Sequence, residues 1–363
     1  MRTHTLRQAL GQTLRQTLRP TLGAALGRGR HNNLDLLRLL AAMAVVISHC
    51  WPLALGPGTP EPLEELTGRS LGQYAVMVFF FLSGLLVAES AARNRATPLR
   101  FLRARVARLF PGLGLALIVG LGLAVLAGAT PGPAEVVRYL LHGLSLAGME
   151  HQVTGSWAAN PYPGALNGSL WTLFHEALCY AVAAALVWSG ALDRPYRAAF
   201  VIGWVALGAH AAAEMIPGGG GLALKAAAFA PLVLTFLAGV AAWRLRDHLP
   251  LSPVLAVLAV LAAIALHGTL ADGTATSVAL GMVALVVAFR TPPLRLPGDL
   301  SYGVYLYGWP VSQALLALLG PMAPVVLAPL ACLAVLPLAA ASWVLVERPG
   351  LTLGRGRVQP RPA

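Results

Sequence analysis

Runs of about twenty apolar residues recur along the chain, and twenty residues wound as an α-helix match the hydrocarbon thickness of a bilayer. Apolar windows fall near 34–55, 71–92, 110–128, 170–189, 196–213, 222–243, 251–267, 274–290, 300–319 and 322–346. The expected fold is therefore all-α: a polytopic membrane helix bundle with about ten transmembrane helices. Composition leaves little room for a soluble protein, since 57% of the 363 residues are hydrophobic and 11% charged, with a mean hydropathy of +0.70.

A formal charge of +12 would suit nucleic acid if it were gathered in one domain. Here the basic residues sit scattered at the ends of apolar segments, where they act as topology signals. With the N-terminus in the cytoplasm, the segments 1–33, 93–109, 190–195, 244–250, 291–299 and 347–363 lie inside, and of 26 Lys and Arg only Arg69, Arg138 and Lys225 lie outside. The outer connections instead carry Glu61, Glu64, Glu65, Glu135, Glu150, Glu214 and Asp272. Both termini are expected in the cytoplasm and the protein in the inner (plasma) membrane. The chain divides into a basic amphipathic arm, 1–33, a membrane domain, 34–349, and a basic tail, 350–363.

In the arm, Leu6, Leu10, Leu14, Leu18, Leu22 and Leu26 recur at intervals of four among Arg7, Arg15 and Arg19. That pattern suits a helix on anionic lipid; low-complexity sequence reads equally well. The segment 134–148 is interrupted by Glu135, Arg138 and His142 and reads as an interfacial or re-entrant helix on the outer side. The long connection around it, 129–169, is either part of an acceptor pocket or a poorly ordered surface loop. Cys50, Cys179 and Cys332 all fall inside expected spans, which implies neither a disulfide framework nor a metal site.

Ionisable groups at membrane depth are expensive and mark functional sites. Arg38 and His49 share one apolar stretch, and eleven helical steps return both to the same face about 16 Å apart along the axis. Glu176, in Trp171-Thr172-Leu173-Phe174-His175-Glu176, lies about 9 Å below the outer end of its span, as does His49 below its own. Equal depth permits contact, and a carboxylate beside the ring would orient it as a base. Arg105 and Arg108 are three apart on one helical face, and paired guanidinium forks suit phosphate oxygens; positive-inside topology alone is the bland alternative.

Three more residues are candidate substrate contacts: Ser83 in Phe79-Phe80-Phe81-Leu82-Ser83-Gly84, Trp171, and Tyr302 in Ser301-Tyr302-Gly303-Val304-Tyr305-Leu306-Tyr307-Gly308-Trp309-Pro310. Small residues and aromatics in such segments serve helix packing or anchoring as readily. Glu347-Arg348-Pro349 is explained by a local ion pair and a helix stop.

In order and spacing, Asn33-Leu34-Asp35-Leu36-Leu37-Arg38 with His49, the Phe79–Gly84 segment, Arg105-Val106-Ala107-Arg108-Leu109-Phe110-Pro111, the Asn167–Glu176 segment, Ser301–Leu306 and Glu347-Arg348-Pro349 resemble the acyltransferase-3 family of integral membrane proteins. The resemblance covers about 34–349. It implies ten spans and transfer of an acyl group, commonly acetyl from cytoplasmic acetyl-CoA, to a hydroxyl of a sugar, a cell-envelope glycan or a small natural product. It maps the family's Arg and His onto Arg38 and His49, its paired arginines onto Arg105 and Arg108, and its fourth-span carboxylate onto Glu176.

Two positions depart from the family pattern. Gly308 stands where members often have His, and Thr172 replaces a frequent Ser beside the Trp while keeping a hydroxyl. Some members also carry an attached hydrolase-like domain, which this sequence is expected to find, if at all, in a separate partner.

The implied chemistry has Arg38, Arg105 and Arg108 on the CoA phosphates and His49, oriented by Glu176, as base toward the acceptor hydroxyl. No metal is expected. A proton-coupled membrane transporter would use the same buried His and Glu, although no internal repeat of broken helices favours it.

Overall fold

Helices occupy nine of the ten apolar windows in the computed structural model, which describes residues 20–27, 29, 32–146, 152–194, 197 and 220–355; of the tenth window, 196–213, only Arg197 is described. In chain order the helices are α1 (Leu22–Leu26), α2 (Leu34–Leu55), α3 (Pro62–Thr67), α4 (Leu71–Arg93), α5 (Pro98–Leu126), α6 (Pro133–Ser145), α7 (Trp171–Trp188), α8 (Gly220–Arg244), α9 (Pro253–Ala265), α10 (Asp272–Arg290), α11 (Ser301–Leu319), α12 (Pro324–Ser342) and α13 (Arg348–Arg355). A π-helical turn, Trp343–Glu347, joins the last two. Among the described residues six helical segments are long and apolar enough to cross a membrane: α2, α4, α5, α7, α10 and the run Pro324–Gly354. Among the described residues there is no strand, only an isolated bridge between Thr21 and Pro250.

The chain divides into two units, the first built from residues up to 37, 77–92 and 179–295, the second from 38–76, 93–178 and 296 onward. In the first, small residues let backbones meet: a Cβ on Gly84 would collide with the Phe236 carbonyl and one on Gly239 with the Phe81 carbonyl, so α4 and α8 cross in close contact. The Phe79–Gly84 segment is thus a packing motif through Gly84, while Ser83 is half-buried beside it. Thr235 and Ser277 hydroxyls pair at 2.7 Å between α8 and α10. Asn33, 2% exposed, donates to Thr291 Oγ1 at 2.7 Å and accepts from the Leu294 N–H at 2.7 Å, which pins the start of α2 to the end of α10.

Of the N-terminal arm, Leu6 to Leu18 lie outside the described residues. Leu22 is fully buried and donates its N–H to the Leu249 carbonyl at 2.9 Å. This end of the arm packs on the 246–251 connection.

In the second unit α11 is the central element, with every residue from Ser301 to Ala314 buried. It packs on α12, where Gly303 admits Ala339, and on α5, where Gly112 faces the Tyr302 ring. α5 runs without interruption from Pro98 through Pro111, so the arginines expected in an inner loop, Arg100 to Arg108, stand on a helix. α13 lies along that extension, with Gly350 against Pro111 and Gly354 against Ala107. The chain therefore continues as helix past Pro349 where a stop was expected.

Residues 152–170 of the connection before α7 are tied to the helices around them. Thr154 N–H donates to Glu135 of α6 at 2.7 Å, and residues 160–169 run antiparallel along α11, stitched to it by side chains. Asn160 Nδ2 donates to the Gln313 carbonyl at 2.9 Å, Gln313 Nε2 to the Tyr162 carbonyl at 2.7 Å and Trp309 Nε1 to the Ala165 carbonyl at 2.9 Å. Asn167 Nδ2 donates to the Leu306 carbonyl at 2.8 Å. That last bond has a local cause: Pro310, four residues on, has no N–H to give Leu306, and the loop amide replaces it.

Candidate active site

Asp299 precedes α11 and divides its carboxylate between two tasks. Oδ1 accepts from the Ser301 N–H at 3.3 Å and the Ser301 hydroxyl at 2.5 Å, at the first residue of the helix. Oδ2 accepts from Arg38 Nη1 at 2.7 Å and from Arg108 Nη2 at 2.8 Å. Burial alone would push this carboxyl up; Arg108, Arg38 and the Ser301 hydrogen bonds outweigh burial and hold it well below the usual carboxylate range.

The Arg108 guanidinium also lies 5.3 Å over the Tyr302 ring, and the Tyr302 hydroxyl donates to the Leu109 carbonyl at 2.8 Å. Tyr302 thus belongs with the arginines as a platform for one of them. Arg105 has a different neighbour, with its guanidinium 5.7 Å over the Phe101 ring of its own helix. The structure brings Arg38 and Arg108 together around an acid that sequence reasoning missed.

Glu347 enters the same electrostatic neighbourhood. It is 3% exposed, accepts from the Ser342 hydroxyl at 2.8 Å, and feels Arg108, Asp299 and Arg38. The expected local pair with Arg348 is replaced by this inward turn, which the π-helical geometry of 343–347 delivers.

His49 lies up α2 from Arg38, and Trp309 up α11 from Asp299. The two rings meet edge to face with centroids 5.1 Å apart, so α2 and α11 run parallel and in register, about 16 Å separating the two levels. His49 is half-buried, and its Nδ1 is 3.5 Å from Ser169 Oγ at the end of the stitched loop. Three bonds hold Ser169 and its neighbours: its N–H donates to Asn167 Oδ1 at 3.1 Å, its carbonyl accepts from the Tyr305 hydroxyl at 2.6 Å, and Tyr305 shares a 2.5 Å hydrogen bond with Thr172 Oγ1. The hydroxyl kept at position 172 is therefore in use.

Glu176 follows Thr172 by one turn on the same face of α7 and lies within electrostatic reach of the Tyr305 phenol. Trp171, 38% exposed, opens α7 with its ring stacked edge-on against His175 at 5.3 Å. Among the described residues no cluster of three or more His, Cys, Asp or Glu forms a metal site.

Ser169 and Tyr305 are the site residues that sequence left unassigned. Both stand in motifs quoted above, but nothing in their spacing, 136 residues apart, shows that they meet. Asp299 carried one local signal, Asp two before Ser at a helix start, which predicts a cap and is silent about arginines.

A multi-pass helical bundle with an imidazole beside the Ser169 hydroxyl between one helix pair, and two guanidiniums gathered on Asp299 at the pair's far end, defines a membrane protein with polar groups held inside an apolar frame. The family model described as "Acyltransferase domain" matches residues 31–344, and the chain belongs to this acyltransferase-3 family of membrane acyltransferases. It is similar to an "O-acetyl transferase" of Shigella phage Sf6, 29% identical over 89% of this chain and 97% of that protein. It is also similar to "Nodulation protein 10" of Rhizobium leguminosarum bv. viciae, 28% identical over 92% and 96%, and to "Exopolysaccharide production protein ExoZ" of Rhizobium meliloti (strain 1021), 28% identical over 81% and 94%. No solved structure matches.

Proposed function

We propose that the protein is an acyl-CoA-dependent O-acyltransferase of the inner membrane that moves an acetyl group to a hydroxyl of a sugar or cell-envelope glycan. One observation carries the reading: Arg38, joined to Arg108 of α5 through Asp299, and His49 sit at two levels of α2, about 16 Å apart, close to the length over which an extended pantetheine arm separates phosphates from thioester. The name of the phage relative supports acetyl transfer to oxygen, and that of the exopolysaccharide relative supports a polysaccharide acceptor.

In this reaction Arg38, Arg105 and Arg108 hold the donor phosphates from the cytoplasmic side. With the Nδ1 proton donated to Ser169 Oγ, His49 presents the Nε2 lone pair to the acceptor. It takes the hydroxyl proton as that oxygen attacks the thioester carbonyl. The C–S bond then breaks, and the imidazolium returns its proton to the departing CoA sulfur. General base catalysis of this kind typically contributes about 10²–10⁴-fold, and Glu176 is proposed to act on it indirectly, through the Tyr305 phenol that holds Ser169. Trp171 is proposed on the acceptor's path.

The test uses the full chain in detergent with acetyl-CoA and hydroxyl-bearing glycan fragments, following free CoA thiol. Acceptor-dependent thiol release with an acetyl mass gained by the acceptor is expected. Absence of release across envelope glycans and small sugars would overturn the reading.

A further inference from the structure

We infer that Asp299 is a positioning residue for donor binding: its carboxylate fixes Arg38 and Arg108 as one preformed fork at the start of α11. The inference rests on the acyl-CoA reading above and adds to it a residue that neither residue patterns nor the comparisons assign.

Two guanidiniums that share one oxygen at 2.7 and 2.8 Å are like charges held within a few ångströms of each other. Without an anion between them they repel, and each long side chain regains its rotamers. The carboxylate removes that repulsion before any donor arrives. Each guanidinium carries five N–H donors, and the bond to Asp299 uses one from each. Asp299 is itself held, because Oδ1 is fixed by the Ser301 N–H and hydroxyl. The side chains are shielded, at 22% exposure for Arg38 and 13% for Arg108 and Asp299, so bulk water screens the arrangement little.

Two effects compete when the charge is removed. A basic pair without its acid attracts a polyphosphate more strongly at long range, but it no longer waits in a defined geometry. For a partly buried, bidentate site, pre-organisation is the larger effect.

Asp299→Asn separates the carboxylate's two tasks, because the Asn side-chain oxygen can still accept from Ser301 while the charge is gone. With purified full-length protein, KM for acetyl-CoA should rise about ten-fold, the scale of one lost charge-assisted hydrogen bond, with kcat within about two-fold. Acetyl-pantetheine, which has the thioester arm and no phosphate, should be turned over as by the parent protein. An equal loss with both donors would show that Asp299 only supports the fold and would overturn the inference. So would an unchanged KM, or a lower one, which would mean that Asp299 merely competes with phosphate. If the Asn variant is not monodisperse, Asp299→Glu, which keeps the charge and displaces it by a methylene, should show the same donor-selective rise in KM. A parent protein that consumes no acetyl-CoA would sink the acyl-CoA reading itself, an outcome separate from all of these.

Discussion

Gly308 of α11 lies directly against the Val46 side chain of α2, so close that a Cβ at 308 would overlap the valine methyl. That contact sits between the two polar levels and keeps the helices in the register that brings Arg38 to Asp299 and His49 to Trp309. It also explains why this chain has no imidazole at position 308: there is no room for one, and a proton relay through that position is closed by packing.

Substituting Gly308 with His should therefore destabilise the second unit by about 1–3 kcal/mol, the usual cost of overpacking. Thermal unfolding in detergent would measure it. A variant as stable as the parent would show that the helices can part without cost.

His49→Ala should lower kcat for acetyl transfer by at least about 10², the lower range for a lost general base, while acetyl-CoA binding and membrane level stay near those of the parent. Equilibrium binding together with steady-state turnover would decide this. Retained acylation would remove the imidazole from the chemistry.

Asn167→Ala leaves the Leu306 carbonyl without its loop donor and should cost about 1–3 kcal/mol. Pro310→Ala restores an N–H four residues along, able to reach that same carbonyl. The double variant should then be less destabilised than the sum of the two single changes, a coupling that a double-mutant cycle reads directly. Strict additivity would mean that the amide and the proline act independently.

The ionisation of Asp299 sets a pH window. Its carboxyl is held below the usual range by Arg108 and Arg38 despite burial. The stability it contributes is therefore complete above the ordinary carboxyl value, about 4, and is lost only as pH falls from there toward the depressed folded value. The unfolding midpoint of the parent minus that of Asp299→Asn should be flat from about pH 5 to 9 and shrink below about pH 4. A difference that titrates near neutrality would assign the effect to another group.

The helices were legible because burying a backbone in hydrocarbon allows few solutions, and their ends fall within a few residues of the apolar windows for α2, α4, α7 and α11. α5 was misjudged at its start. Its four arginines read as a loop, yet a helix carries Arg100 and Arg103 on an exposed face and turns Arg108 inward to Asp299, and Pro98 at its first turn starts the helix twelve residues early. The basic and imidazole residues were found from cost alone, because a charge in an apolar run needs a reason. Their partners were not. Asp299 lies 261 residues from Arg38 and 191 from Arg108, and Ser169 lies 120 from His49, separations at which residue type and periodicity carry no information about contact. The order of the loop along α11 was equally hidden, because it depends on side-chain amides finding carbonyls on a helix translated more than a hundred residues later.

The proline of α11 gives that delay a consequence for biogenesis. Lodged in lipid by itself, this helix would bring one bare carbonyl into hydrocarbon, and the polar amides of the earlier segment would have nothing to bind. Neither piece is complete until they have met, so a lesion in either is expected to leave an inserted but unfinished molecule.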